Sequence, residues 1–299
     1  MNKTCIIICG PTAVGKTSLA IELAVALNTE IISSDSRQCY KELNIGVAKP
    51  SIEELNTIPH HFVNSHSITE EVNAADFEKY ALAAAEKIFE KKDQLVMVGG
   101  TGLYIKSFCE GLDAVPAVPE SIRTEIILNY EQQGMAWLQD QIMGKDPLFF
   151  EKGEMHNPQR VMRALEVMIF TGNSILSYQL RQKKQRDFNV IKIGLELPRE
   201  ILYERINQRV DEMIAAGLEQ EVLGLLPFQS LNALKTVGYS EFFEYFKNGN
   251  SKTFTETVER IKQHTRQYAK RQMTWFKRDA EIKWTRPIKG LSVSWVSEI

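Results

Sequence analysis

The chain has no run of apolar residues approaching the length of a membrane span, no CxxC or CxxH spacing among its four cysteines, and no surplus of charge of either sign. Each absence excludes something. A spanning helix needs about 20 consecutive apolar residues, so no membrane-crossing segment is expected. Cys5, Cys9, Cys39 and Cys109 support neither a zinc site nor a disulfide framework and read as buried free thiols. A formal net charge of -2 lacks the basic footprint that phosphate binding usually leaves, so a nucleic-acid partner has to be sought in how the charge is distributed. There is no internal repeat and no low-complexity tract. Lys3 followed by Cys5-Ile6-Ile7-Ile8-Cys9 has the outline of a secretory leader, but the apolar run is too short and enters a glycine-rich loop, so a cytoplasmic protein is expected.

What is present is ordinary for a globular protein. With 43% hydrophobic and 25% charged residues, the 299-residue chain is long enough for one large domain or a core carrying a smaller second one. The β-branched run Thr4–Cys9 ends in glycine, and Leu19, Leu23 and Leu27 then recur at helical spacing, which gives strand, loop and helix. Further buried strands are expected at 30–33, at 95–98 after an alanine-rich helix over 74–90, and at 190–197. Strands alternating with helices predict an α/β fold, a P-loop NTPase-like parallel sheet flanked by helices. From Asp113 the character changes. Val115-Pro116-Ala117-Val118-Pro119 is a stiff connector into a stretch of helices, in which Asn157 caps a helix, Pro158 occupies its first turn and Gly172 ends it. The predicted organisation is a catalytic core made of residues 1–112 and 188–299, with an inserted helical module over 113–187. In the last part Ile201, Ile206, Val210 and Ile214 are expected on one buried face, Gly217 as a break, and a long final helix over 255–278.

The strongest local signal is Gly10-Pro11-Thr12-Ala13-Val14-Gly15-Lys16-Thr17, a full GxxxxGK[ST] loop between a strand and a helix. Backbone N–H groups and the helix N-terminus cradle phosphate oxygens, Lys16 adds a point charge, and the Thr17 hydroxyl is suited to holding Mg²⁺. Such a loop identifies a polyphosphate and leaves the reaction open. An ordinary NTPase places an Asp at the end of a neighbouring strand, whereas here that strand runs into Gly99-Gly100-Thr101-Gly102. A carboxylate follows the second strand instead, in Ser33-Ser34-Asp35-Ser36-Arg37-Gln38. Asp35 is placed either as a turn-capping residue or as a general base, with Arg37 and Gln38 suited to reading a base.

Positive charge is concentrated late in the chain. Seven Lys or Arg and no acidic residue fall between Arg260 and Arg278. Lys262, Arg266 and Lys270 form a stripe at helical spacing, and Val258, Ile261, Tyr268 and Phe276 occupy another face. A solvated face and a polyanion-binding face are both compatible with that run. Arg160 and Arg163 share a face of one helix, and Arg205 and Arg209 share a face of another; either pair can equally be salt-bridged to neighbouring glutamates. His60, His61 and His66 lack a ligand partner set.

Taken in order, GPTAVGKT, SSDSRQCY, IGVAKP, PHHF, AADF, VGGTGLY, HNPQRVMRALEV, GLEQEV, VGYSEF and TRQYAKRQMTWF resemble one family over nearly the whole chain, the tRNA dimethylallyltransferases. The resemblance implies transfer of a dimethylallyl group from dimethylallyl pyrophosphate to N6 of the adenine 3′ of the anticodon. In that scheme Gly10 to Thr17 hold the pyrophosphate with Mg²⁺ at Thr17, Asp35 takes the proton, Thr101 lies beside the reacting base, and Arg209 stabilises the departing pyrophosphate. By the same resemblance Asp35, Ser36, Arg37, Gln38 and Thr101, together with Gln159, Arg160, Val161, Met162 and Arg163, contact tRNA, Arg123 matches a further contact, and the insertion grips the anticodon stem. A monomer without membrane attachment is expected. Val47 stands where relatives more often have Thr and Asn64 where they have Asp. No zinc-finger extension of the kind found in many eukaryotic relatives is present in the sequence, which points to the bacterial form.

Three other readings compete. An adenylate isopentenyltransferase would have little use for the insertion, a small-molecule kinase would need the missing carboxylate after the third strand, and a nucleotide switch or non-catalytic RNA-binding module would carry an NKxD or dedicated RNA-binding motif.

Overall fold

The computed structural model describes residues 3–180, 182–247 and 253–287, and the chain divides into two compact units, Met1–Glu110 with Gln185–Ile299, and Gly111–Lys184. Residues 288–299, assigned above to the catalytic core, and Arg181 in the insertion lie outside the described residues.

The first unit is an α/β layer structure. Its elements in chain order are β1 (Thr4–Cys9), α1 (Lys16–Ala26), β2 (Ile31–Ser33), α2 (Ile52–Thr57), β3 (His60–His61), α3 (Ala74–Phe89), β4 (Gln94–Gly99) and α4 (Gly102–Glu110). The second unit supplies α5 (Glu120–Lys145), α6 (Pro147–Lys152) and α7 (Pro158–Thr171). The first unit then resumes with β5 (Asn189–Leu195), α8 (Arg199–Ala215), α9 (Leu218–Gly224), α10 (Tyr239–Lys247), α11 (Phe254–Phe276) and β6 (Lys283–Thr285). The six strands pair in the order β3-β2-β4-β1-β5-β6, every pairing parallel.

The centre of the sheet explains why β1 is an unbroken apolar run. Cys5, Ile7 and Cys9 point into one core and Ile6 and Ile8 into another, all buried, because helices cover both faces. Leu19, Leu23, Leu202 and Ile206 from α1 and α8 close one side; Phe77, Ala81, Tyr104, Phe108 and Phe242 from α3, α4 and α10 close the other. Each fully buried Ile contributes roughly 1.5–3 kcal/mol over its exposed state. The parallel sheet predicted from the alternation of elements is thus present.

Several expectations need correction. His60–His61 form a short edge strand, with His60 Nδ1 against the Ile58 carbonyl at 2.8 Å and His61 Nε2 against Glu30 at 2.6 Å. Lys283–Thr285 form the other edge, also unforeseen. On α8 the buried stripe is Leu202, Ile206 and Val210, while Ile201 is 44% exposed, because the helix begins at Arg199 and its core-facing stripe starts one residue later than expected.

The second unit has its own core. Ile126, Leu138 and Ile142 of α5 meet Val161, Leu165 and Val167 of α7. Asn157 caps α7 by accepting from the Gln159 and Arg160 amides, and Gly172 ends it at φ 71°. Gly134, at φ 76° and ψ -164°, breaks α5 into two segments.

Candidate active site

The glycine-rich loop leaves β1 at Gly10, whose φ of 139° and close approach to β5 exclude a side chain: a Cβ there would lie 2.6 Å from the Leu195 carbonyl oxygen. Gly15, at φ 103°, precedes α1 without a side-chain cap, so the first-turn N–H groups of α1 face outward as anion donors. Lys16 Nζ donates to the Pro11 carbonyl at 2.7 Å, folding the loop over itself. Burial, followed by the neighbouring Arg209 guanidinium, pulls the Lys16 pKa down to about 8, and Asp35 partly offsets the shift.

The exits of β2 and β4 are stitched together. The Ser34 amide donates to the Val98 carbonyl at 2.7 Å and the Thr101 amide to the Ser34 carbonyl at 3.3 Å. Asp35 Oδ1 accepts from the Arg37 amide at 2.9 Å and the Gln38 amide at 3.3 Å, so this oxygen caps the turn. Thr101 Oγ1 accepts from the Ser36 amide at 3.1 Å and donates to Ser36 Oγ at 3.3 Å, which fixes Thr101 beside the Asp35 turn. Gln38 is used internally: Oε1 accepts from Ser33 Oγ at 3.3 Å, and Nε2 donates to the Val47 and Ala48 carbonyls at 3.3 and 3.0 Å. In the structure without RNA its amide holds the 47–48 loop.

Two clefts meet over this floor. One, of about 520 Å³, is lined by Ala13, Gly15, Lys16, Thr17, Arg205 and Arg209 among others. The other, of about 600 Å³, is lined by polar and charged residues, among them Thr12, Asp35, Ser36, Arg37, Tyr268 and Arg271, and by apolar ones, among them Ile206, Val210, Met213 and Ile261. Arg209 and Ala48 line both. Burial lowers the Arg209 pKa from its ordinary value, and Asp35 counteracts this. The P-loop cleft thus meets, at Arg209, a second cleft that mixes apolar side chains with charged groups of both signs.

Sequence reasoning misses Gln272 of α11. It is 6% exposed, accepts from the Thr12 amide at 2.9 Å and donates to the Gly100 carbonyl at 2.9 Å, tying the P-loop to the exit of β4. Tyr268, expected on the packed face, opens into the larger cleft; burial of its hydroxyl and then the Asp35 carboxylate push its pKa up to about 12. The only signal in the sequence is a tyrosine and a glutamine four residues apart on one helix face. Replacing Gln272 with Leu leaves the part-buried Thr12 amide without this partner and orphans the buried Gly100 carbonyl, the latter at roughly 1–3 kcal/mol. The Q272L protein should therefore melt well below wild type in calorimetry; an unchanged melting temperature would show that the bridge contributes nothing.

Part of the cationic run on the final helix, α11, is paired within the first unit. Lys262 pairs with Asp211 at 2.8 Å and Glu259 at 3.0 Å, Arg266 donates to Asn207 at 2.5 Å and lies 5.9 Å from the Tyr203 ring, and Arg260 pairs with Glu244 at 2.8 Å. Lys262 and Arg266 thus reach residues of α8, while Lys270 and Arg271 are exposed farther along the helix.

In the second unit, Val161 and Met162 are 0% and 4% exposed, so their side chains belong to its core and cannot be surface contacts. Gln159 and Arg160 are exposed at the start of α7; Arg160 pairs with Glu154, and Arg163 binds Glu166 at 3.0 Å and the Pro116 carbonyl at 3.1 Å. Arg123 is exposed on α5.

Residues 38–279 match the family model described as IPP transferase. Among curated proteins, the tRNA dimethylallyltransferase of Christiangramia forsetii is 47% identical, over 95% of this chain and 93% of its own. That of Flavobacterium johnsoniae is 45% identical over 94% of this chain and 93% of its own. The full-length tRNA isopentenylpyrophosphate transferase of Bacillus halodurans has a similar structure, with TM-score 0.70 and 34% identity, covering 99% of this chain and 94% of that one. A eukaryotic dimethylallyltransferase acting on tRNA gives TM-score 0.77 at 27% identity, covering 99% of this chain and 77% of that one. Among the described residues no helix is long and apolar enough to cross a membrane.

Proposed function

The chain belongs to the IPP transferase family, and from that premise we propose that it moves a dimethylallyl group from dimethylallyl pyrophosphate onto N6 of the adenine 3′ of the anticodon in tRNA. The observation that carries this reading is the shared wall of the two clefts: a P-loop pocket for the pyrophosphate meets an Asp35-lined pocket for the acceptor at Arg209 and Ala48. A kinase would need an acceptor hydroxyl at the terminal phosphate; here the second pocket combines apolar side chains suited to an isoprenoid with the Asp35 carboxylate suited to an amine.

In this scheme the N6 nitrogen attacks the allylic carbon, the bond from that carbon to the pyrophosphate oxygen breaks, and the N6 proton passes to the Asp35 carboxylate. Oδ1 of Asp35 is anchored by two amides, so Oδ2 is the oxygen for the proton. Arg209, Lys16 and the first-turn amides of α1 stabilise the charge that develops on the departing pyrophosphate. Thr101, held by Ser36, positions the acceptor base. Extracting that base from its stack costs a few kcal/mol, less in a loop than in a duplex.

Mg²⁺ fits the donor set on the page. The Thr17 hydroxyl lines the P-loop cleft, and no group of three or more His, Cys, Asp or Glu suited to a metal occurs among the described residues. One hydroxyl plus substrate phosphates and water is the kind of coordination Mg²⁺ accepts. When bound, the ion would neutralise charge on the pyrophosphate oxygens.

For the second unit, Arg160 and Arg163 are the proposed tRNA contacts, with Gln159 and Arg123 beside them in function. Arg160→Ala should raise the KM for tRNA and reduce the magnitude of the salt dependence of tRNA affinity by about one phosphate contact, leaving the KM for dimethylallyl pyrophosphate unchanged. An equal salt slope in wild type and variant would remove Arg160 from the RNA interface. The reading itself is tested by digesting tRNA after incubation with dimethylallyl pyrophosphate, Mg²⁺ and the protein: N6-dimethylallyladenosine should be recovered, and its absence would reject the proposal. A cytoplasmic, monomeric enzyme is the corresponding proposal for where and how it works.

A further inference from the structure

Residues 44–49 form a loop whose Val47 and Ala48 wall the clefts, Ala48 standing in both. This loop is irregular, with Ala48 at φ 46°, so its position depends on what holds it. Glu221 of α9 holds one end. Its Oε2 accepts from the Asn44 and Ile45 amides at 3.2 and 2.8 Å, and its Oε1 from the Gly46 amide at 3.1 Å and from the Tyr239 hydroxyl. Three consecutive amides and a phenol thus converge on one carboxylate. Gly46 lies flat on the Tyr239 ring: a Cβ there would come within 2.4 Å of the ring and 2.9 Å of Leu218. At the other end Lys49 Nζ donates to the Tyr40 carbonyl at 2.5 Å and to Asn44 Oδ1 at 3.3 Å.

We infer that Glu221, supported by Tyr239, is a positioning residue that sets the wall between the two clefts and so governs how tightly the allylic pyrophosphate is held. The inference rests on the proposed function for the identity of the ligand, though not for the clamp. Glu221 does not line either cleft, so any effect on binding has to pass through the loop. A carboxylate is required because every one of its partners is a donor; a carboxamide presents one acceptor oxygen and turns an NH₂ group toward donors.

The test compares wild type with Glu221→Gln, Tyr239→Phe and the distant control Glu78→Gln on α3, which removes a charge paired with Arg186 at 2.8 Å. Amide hydrogen exchange at residues 44–46 should accelerate at least ten-fold in E221Q and by less in Y239F, and stay unchanged in E78Q. The dissociation constant for dimethylallyl pyrophosphate should rise about ten-fold in E221Q and a few-fold in Y239F, with kcat at saturating donor falling less than kcat/KM. Unchanged exchange at 44–46 in E221Q, or in Y239F should E221Q not fold, would overturn the clamp. Accelerated exchange with unchanged donor binding, or an equal loss of binding in E78Q, would overturn the positioning role. Wild type that does not bind the donor at all would count against the proposed function, while the exchange arm would still decide the clamp.

Discussion

Asp35→Asn should lower the rate of transfer to tRNA by roughly 10²–10⁴-fold, the range for losing a positioned general base, while leaving the fold and the pyrophosphate pocket intact. The substitution is chosen because asparagine keeps an Oδ1 able to accept from the Arg37 and Gln38 amides, so the turn at 35–38 persists. What it removes is the second carboxylate oxygen and the negative charge. Removing the charge has two opposing effects on donor binding. The neutral amide no longer supports the protonated forms of Lys16 and Arg209, which Asp35 favours, yet it also withdraws a repulsive charge from the neighbourhood of the pyrophosphate. The dissociation constant for dimethylallyl pyrophosphate should therefore stay within a few-fold of wild type. Single-turnover transfer with saturating donor measures the prediction; a variant that retains the wild-type rate would leave Asp35 as a turn cap only.

Lys16→Met should weaken binding of dimethylallyl pyrophosphate by about ten- to 100-fold, because a hydrogen bond to a charged partner is worth roughly 1.5–3 kcal/mol. Methionine approaches the length of the side chain and removes its charge. Affinity for tRNA should not change, since Lys16 lines the P-loop cleft and not the Asp35 cleft. Stability should move in the other direction. The Lys16 pKa lies at about 8 in the fold against an ordinary 10.5, so folding disfavours the protonated form. That cost is absent above the ordinary value, grows as the pH falls between the two, and is fully present below about 8. The unliganded variant should accordingly melt at or above the wild-type temperature at neutral pH. Titration calorimetry with the donor and melting of the unliganded proteins check both halves. Wild-type donor affinity in K16M would mean that the loop does not carry the pyrophosphate.

The parts of this site that are legible in the sequence are those whose chemistry is local. The P-loop declares itself because Gly10 and Gly15 must adopt backbone φ angles of 139° and 103° and the lysine must follow immediately. Asp35 is legible from its position at a strand exit, and the structure shows its Oδ1 as the turn cap, which leaves Oδ2 for the proposed role as base. What cannot be read depends on partners distant in sequence. The cations of α11 are visible, but the acids that pair with two of them, Asp211 with Lys262 and Glu244 with Arg260, stand on α8 and α10. The edge strand His60–His61 has no apolar pattern and forms because its neighbour β2 offers free backbone groups; the Ile31 amide donates to the Pro59 carbonyl at 3.0 Å. The opposite edge, Lys283–Thr285, is held by Lys192, whose ammonium binds Asp279 and Glu281, each at 2.7 Å, in the turn leading to it. Gln272 gains its role only when the fold brings Thr12 and Gly100 to it.

The most direct test of the central claim is the fate of label from radiolabelled dimethylallyl pyrophosphate offered to unmodified tRNA and to AMP in parallel, with Mg²⁺. The account predicts label on the tRNA adenine next to the anticodon and none on AMP, with ATP left intact. Label on AMP alone, or ATP turnover with no label on either acceptor, would contradict it.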